Sequence, residues 1–230
     1  MKTMKIFFVF TLAFILSGIS SAQDCGYYNM SEGMVLRYQN LDAKGKLTGS
    51  TRTTCLNVTT VGAATMFKVK SDFTDAKNEN ASSHEYTMRC EDGKFYLDMQ
   101  SFIDPKSMEG FKDMEISVDG NDMMYPSGLS AGQTLPDANI KISAGSGGVN
   151  IMNMLVTVTN RQVVGTESVT VPAGTFDCYK ITYNIETKLM FKVNSTVAEY
   201  ISMGVGNVKT ETFDKKGKLM GSTVLTELKK

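Results

Sequence analysis

Val171 to Glu186 reads V-P-A-G-T-F-D-C-Y-K-I-T-Y-N-I-E. Pro172 and Gly174 punctuate a turn, and strict alternation follows. Tyr179, Ile181, Tyr183 and Ile185 take one side, and Lys180, Thr182, Asn184 and Glu186 take the other. Period two in β-branched and aromatic residues predicts a strand with one buried and one wet face. The rest of the chain reads as strands added around this one.

Downstream, Leu189, Phe191 and Val193 alternate with Lys188, Lys192 and Asn194, and Val197 to Ile201 continues the sheet. Met203-Gly204-Val205-Gly206 breaks it, and Val208 to Phe213 with Ser222 to Leu228 predicts a closing hairpin. The turn of that hairpin, D-K-K-G-K-L-M-G-S-T from Asp214, repeats D-A-K-G-K-L-T-G-S-T from Asp42 at eight of ten positions. The two copies predict one turn design in the first and last hairpins.

Upstream, Asp24 to Ser31 reads as a polar leader, and strand character starts at Met34. Further strands are expected at Thr65 to Phe73, Ser83 to Cys90, Ile151 to Thr159 and Gln162 to Val171. Glu91-Asp92-Gly93-Lys94 predicts a tight hairpin, and Asp119-Gly120-Asn121-Asp122 another turn. Asp104-Pro105 looks like a helix start, giving one short helix over Lys106 to Phe111. Pro126 to Ala138 and the glycine-rich Ser143 to Asn150 read as loops. About a dozen strands without a βαβ rhythm predict an all-β antiparallel fold, either a curved half-barrel or a sandwich.

The amino terminus predicts export. Lys2 and Lys5 precede an apolar run from Ile6 to Leu16, and Ser17 to Ala22 is mostly small and polar. That is the pattern of a secretory signal peptide over residues 1–22, cleaved after Ala22. The apolar run is shorter than the ~20 residues of a membrane span, and no later stretch supplies one. Cys25 follows Gln23-Asp24 rather than a small-residue box, which argues against a lipid anchor. The expected product is a single β domain, residues 23–230, in the periplasm or outside the cell.

Twenty-four basic residues balance 24 acidic ones, which speaks against nucleic acid as a partner. An even count of four cysteines in an exported chain suggests two disulfides. Spacing allows three pairings; face parity leans towards Cys55 with Cys178 and Cys25 with Cys90. The single histidine, His84, leaves little room for a zinc site or a catalytic triad, and there is no G-x-S-x-G. Gly145, Gly147 and Gly148 lack the G-K-[ST] ending of a phosphate loop. No motif calls for a cofactor or a metal, and no catalytic residue is expected.

Several stretches together look familiar: D-C-G-Y-Y from Asp24, D-x-K-G-K-L, G-Q-T-L-P-D at Gly132 to Asp137, V-P-A-G-T-F-D-C-Y-K-I from Val171, and G-V-G-N-V-K-T-E-T from Gly204. They resemble the TapB-like secreted β-proteins of Gram-negative bacteria, relatives of a domain of unknown function. The resemblance covers essentially the whole chain after residue 22. It implies an envelope location and an open, strongly curved antiparallel sheet. The outline is similar to periplasmic lipoprotein-carrier folds, which cradle acyl chains. It supplies no activity and no catalytic residues.

Composition adds one oddity, 16 methionines. Methionine is flexible and polarizable, so it lines surfaces that accept varied apolar partners, and it also fills gaps in ordinary cores. The expected function is non-catalytic binding of a lipid, peptide segment or other apolar ligand on the concave sheet face. The candidate lining is Met114, Met123, Met124, Met152, Met154, Tyr183 and Phe191. The alternative is a structural or adaptor module that binds another envelope protein through a sheet edge.

Overall fold

Period-two patterning carries nearly all of the described chain into strands. The computed structural model describes residues 26–79, 81–99, 110 and 113–230. The expected signal peptide, the Cys25 half of the expected Cys25–Cys90 pair and most of the expected helix lie outside them. Thirteen strands form one antiparallel sheet: β1 (Val35–Asp42), β2 (Leu47–Val61), β3 (Ala64–Asp75), β4 (Ser82–Glu91), β5 (Lys94–Leu97), β6 (Glu115–Asn121), β7 (Met123–Pro126), β8 (Ala138–Ser146), β9 (Val149–Val171), β10 (Gly174–Lys188), β11 (Lys192–Ser202), β12 (Gly206–Asp214) and β13 (Leu219–Lys229). Their order is β6-β8-β9-β10-β11-β12-β13-β1-β2-β3-β4-β5-β7.

That order holds the key to the shape. β6 is one edge and β7 the other, yet only Asp122 separates them in the chain. The expected Asp119–Asp122 turn therefore does not exist. β6 and β7 run on in one direction, the first half pairing with β8 and the second half with β5. Asn121 holds the switch point: its side-chain amide donates to the Asp137 carbonyl (3.0 Å), and its side-chain oxygen accepts from the Asn139 N–H (2.9 Å). One strand shared by both edges forces the sheet to curl into a nearly closed barrel.

Two consecutive meanders make up the wall, β1 to β5 and β8 to β13. They join where the first strand pairs with the last, β1 with β13. In the quoted stretch, Ile181 and Tyr183 turn inward and are buried, as the alternation predicts. The repeated turn is one design used twice: Asp42 Oδ1 accepts the N–H groups of Lys44 and Lys46, and Asp214 Oδ1 those of Lys216 and Lys218. Gly45 and Gly217 sit at φ 77° and 78°, where a Cβ is costly. The sequence repeat hid a third copy, in which Asp75 accepts from Lys77 and Glu79 and Asn78 takes the left-handed position.

Other expectations need correction. Residues 143–150 are not a loop: β8 and β9 meet at a two-residue turn, Gly147-Gly148, both at positive φ. The leader is not a solvated tail, because Tyr27, Tyr28 and Met30 are buried in the barrel. Gly204 N–H donates to the Gly26 carbonyl and Leu129 N–H to the Tyr27 hydroxyl, which pins the leader across the end that holds the β11–β12 turn. It plugs that end.

The expected Cys55–Cys178 bridge is absent, since both residues are free, buried thiols. Cys55 shares a side of β2 with Thr53, and Cys178 shares a side of β10 with Lys180. Four strands separate β10 from β2 in the sheet. Each thiol donates instead to a carbonyl on its own strand, Cys55 to Asn57 and Cys178 to Phe176. Cys90 is disulfide-bonded.

Candidate functional site

The two meanders treat the interior differently. On the β8–β11 side, inward Ile140, Ile142, Ala144, Met152, Val158 and Val197 are buried in the core. On the β1–β5 side the inward row is Leu36, Tyr38 and Asn40 on β1, Thr51 and Thr53 on β2, Ser71 and Phe73 on β3, and Tyr86 and Met88 on β4. These residues, with Tyr28, Met30, Leu97, Glu199, Asn207 and Thr223, line a cavity of about 380 Å³.

The cavity is layered. Met30, Leu36, Met88 and Leu97 form an apolar floor against the leader. Above it lies a belt of hydroxyls: Thr53 and Ser71 share a hydrogen bond (3.1 Å), and Ser71 shares another with Tyr86 (3.3 Å). Tyr38 donates to the Asn207 carbonyl (3.0 Å). Higher still, Thr223 donates to the Asn40 side-chain oxygen (2.9 Å), and the Asn40 amide donates to Thr51 (3.3 Å). Asn40 and Phe73 stand two residues before Asp42 and Asp75, so the top of the cavity meets the aspartate turns. His84 stacks on Tyr86 near this upper end, with ring centroids 5.6 Å apart.

A buried charged cluster forms the wall between hollow and packed halves. The Tyr125 hydroxyl donates to Glu199 (3.0 Å to Oε2). Tyr28, which stacks on Phe95 at 4.3 Å, lines the same cavity as Glu199. Burial pushes the Glu199 carboxyl above its ordinary value, opposed by the nearby Arg161 charge and by these two tyrosines. Burial and the Glu199 charge raise Tyr28, Tyr125 and Tyr183 well above the usual phenol range.

Arg161 is fully buried, and its guanidinium lies 4.8 Å from the Tyr125 ring centre. Its Nη1 donates to the Met124 carbonyl (3.0 Å) on β7 and to the Pro136 carbonyl (2.8 Å). The stretch 132–135 pairs with β9 through Gly132, Gln133 and Leu135. Arg161 thus staples β9 to the strand that closes the barrel. It points inward because of a bulge: Asn160 takes φ 55°, and the β9–β10 register skips between Thr182 and Asn184. The slip moves inward positions from Val158 to Arg161 and Val163.

The methionine-based lining lands elsewhere. Met123 and Met152 are buried, Met114 and Met154 are half-buried against the core, and Tyr183 belongs to the core beside Glu199. Met124 contributes its carbonyl to Arg161. Phe191 is 78% exposed at the β10–β11 tip, because residues 189–191 of the strand expected across Leu189 to Val193 form a hairpin turn and strand resumes only at Lys192. None of the seven lines the 380 Å³ cavity. The residues that do line it are largely Thr, Ser, Asn and Tyr, which in sequence look like a solvated face.

This barrel, with a plugged end and a half-hollow interior, has relatives. The DUF3108-like family model matches residues 31–225, and the chain belongs to the DUF3108-like family. Among solved structures, it is similar to a protein from Bacteroides fragilis described as exported and as having a YmcC-like fold. That likeness has a TM-score of 0.73 and 22% identity, over 89% of this chain and 99% of the other. It is also similar to a protein from Parabacteroides distasonis described as a lipoprotein, with a TM-score of 0.73 and 27% identity, over 90% of this chain and all of the other. No curated protein matches.

Proposed function

We propose that this is a non-catalytic binding protein of the bacterial envelope whose hollow half holds one small amphipathic ligand. The cavity carries the reading. Its volume of about 380 Å³ lies in the ~300–1,000 Å³ range of small-molecule sites, with an apolar floor and a few placed polar groups. An acyl or other aliphatic segment fits the Met30, Leu36, Met88 and Leu97 floor. A polar head fits the hydroxyl belt and Glu199. The ligand expected from sequence is thereby narrowed from apolar to two-ended, and its seat moves from the methionines to β1–β5.

Periplasmic or secreted location is supported by the signal-peptide pattern of residues 1–22 and by the descriptions of the two structural relatives as exported and as a lipoprotein. Kinship with the TapB-like proteins rests on the quoted motifs. The sheet-edge adaptor finds less support, since β6 and β7 share one strand and Arg161 ties the β7 edge. Native mass spectrometry of protein purified from its host is the test. The expected result is a bound mass that Ser71→Phe, which fills the hydroxyl belt, removes while the fold persists by circular dichroism. A clean apo mass, with no rise in Tm on adding single-chain lipids, would overturn the reading.

A further inference from the structure

Hairpin turns alternate between the two ends of an antiparallel barrel, and here the two sets of turns differ in charge. The β1–β2, β3–β4, β10–β11 and β12–β13 turns share one end, the end at which the cavity tops out. Residues 42–47, 75–79, 186–192 and 214–219 carry eight lysines against five carboxylates. The opposite turns, residues 61–64, 91–94, 171–174 and 202–206, carry Glu91 and Asp92 against Lys94. Turn for turn, the first set is basic and the second, at the plugged end, slightly acidic.

In the lysine-bearing turns four of the five carboxylates are already engaged. Asp42, Asp75 and Asp214 each accept two backbone N–H groups within their turns. Glu186 pairs with Lys192 at 2.9 Å. Lys44, Lys46, Lys77, Lys215, Lys216 and Lys218 are exposed and, among the described residues, in no ion pair. Beside this rim stands an apolar tip. Leu189, Met190, Phe191 and Val193 are 49%, 84%, 78% and 59% exposed. The next hairpin at the same end, β8–β9, exposes Val149 and Ile151. Water-facing apolar tips of this kind mark an interaction surface.

We infer that this end docks on an anionic phospholipid bilayer, the Leu189–Val193 tip entering the interfacial layer and the lysine-bearing turns meeting lipid phosphates. Charge selects this occupant. Unpaired lysines around an apolar projection match a surface that is negative at the headgroups and greasy just beneath. The docking stands on the lysine-bearing turns and the apolar tip alone. Its use, passing an amphipathic ligand between bilayer and cavity, rests on the proposed function.

Co-sedimentation with vesicles tests it. The protein purified from its host should bind phosphatidylethanolamine–phosphatidylglycerol vesicles at least about tenfold more tightly than phosphatidylcholine vesicles, and added salt should weaken that binding. Met190→Asp with Phe191→Asp should remove the binding. Lys44→Gln, Lys46→Gln, Lys77→Gln, Lys215→Gln, Lys216→Gln and Lys218→Gln together should remove the preference for anionic lipid. All eight positions are exposed, so Tm serves as the folding control. Equal binding to both vesicle types, no binding, or variants that bind like the wild type would overturn the inference, as would a protein partner that occupies the tip while vesicles do not. Occupancy of the cavity is read separately by mass, so docking can fail while ligand binding stands, and the reverse.

Discussion

The β1–β5 meander and strands β8–β10 are built from the same antiparallel hairpins, yet one supplies most of the cavity lining and the other packs its inner face. The difference lies in the inward residues. In β8 and β9 they are Ile140, Ile142, Ala144, Met152 and Val158, which interlock into the core. In β1 to β4 they include Asn40, Thr51, Thr53, Ser71 and Tyr86, whose polar atoms satisfy one another. A hydroxyl belt of this kind keeps a void open while its own members stay paired, although Asn207 Oδ1 in the same lining is left without a partner. The lesson is that a binding cavity here is made by substituting polar for apolar residues on the inner face, with no change in topology.

The largest expected effect falls on the wall between the halves. Arg161→Leu strips donors from the Met124 and Pro136 carbonyls and leaves Glu199 buried without its countercharge. It should cost about 3–5 kcal/mol in urea unfolding. A loss below 1 kcal/mol would show that the staple does not hold the halves together. Next comes the contrast itself. Ile142→Ala in the packed half should cost about 2–5 kcal/mol. Leu97→Ala, half-buried at the cavity floor, should cost about 1 kcal/mol, because the space beside it is already empty. Equal costs would mean that both halves are packed alike.

The smallest effect is electrostatic. Burial raises Glu199 above 4.5, so the folded state holds its proton more tightly than the unfolded state does. Its contribution to stability is full below pH 4.5 and is lost as pH rises through the raised value. Asp72, Glu211 and Asp214 are lowered by hydrogen bonds and lysines, and act on the acid side instead. The difference in unfolding free energy between wild type and Glu199→Gln should therefore change above pH 4.5. A flat difference across that range would place Glu199 in solvent.

Much of the wall was legible in sequence. Alternation found β10 and its inward Ile181 and Tyr183, and the Asp-x-Lys-Gly-Lys repeat found two of three matching turns. The site was not legible, for reasons that are physical. Thr53, Ser71 and Asn40 look like solvent-facing residues until strands bring their hydroxyls and amides together. Arg161 looks outward by strict alternation until Asn160 slips the register; an asparagine interrupting an apolar run was the available signal. Asp119-Gly120-Asn121-Asp122 has the composition of a turn, but Asn121 spends its side chain holding two extended segments in line. Methionine richness pointed to the interior but to its filled half.

Among the described residues, the stretch from Glu115 to Pro126 is backbone hydrogen-bonded at both borders of the ribbon, to β8 and to β5. A lone protease nick at Asp122 would therefore unfasten two borders at once, as drawing one pin frees both leaves of a hinge.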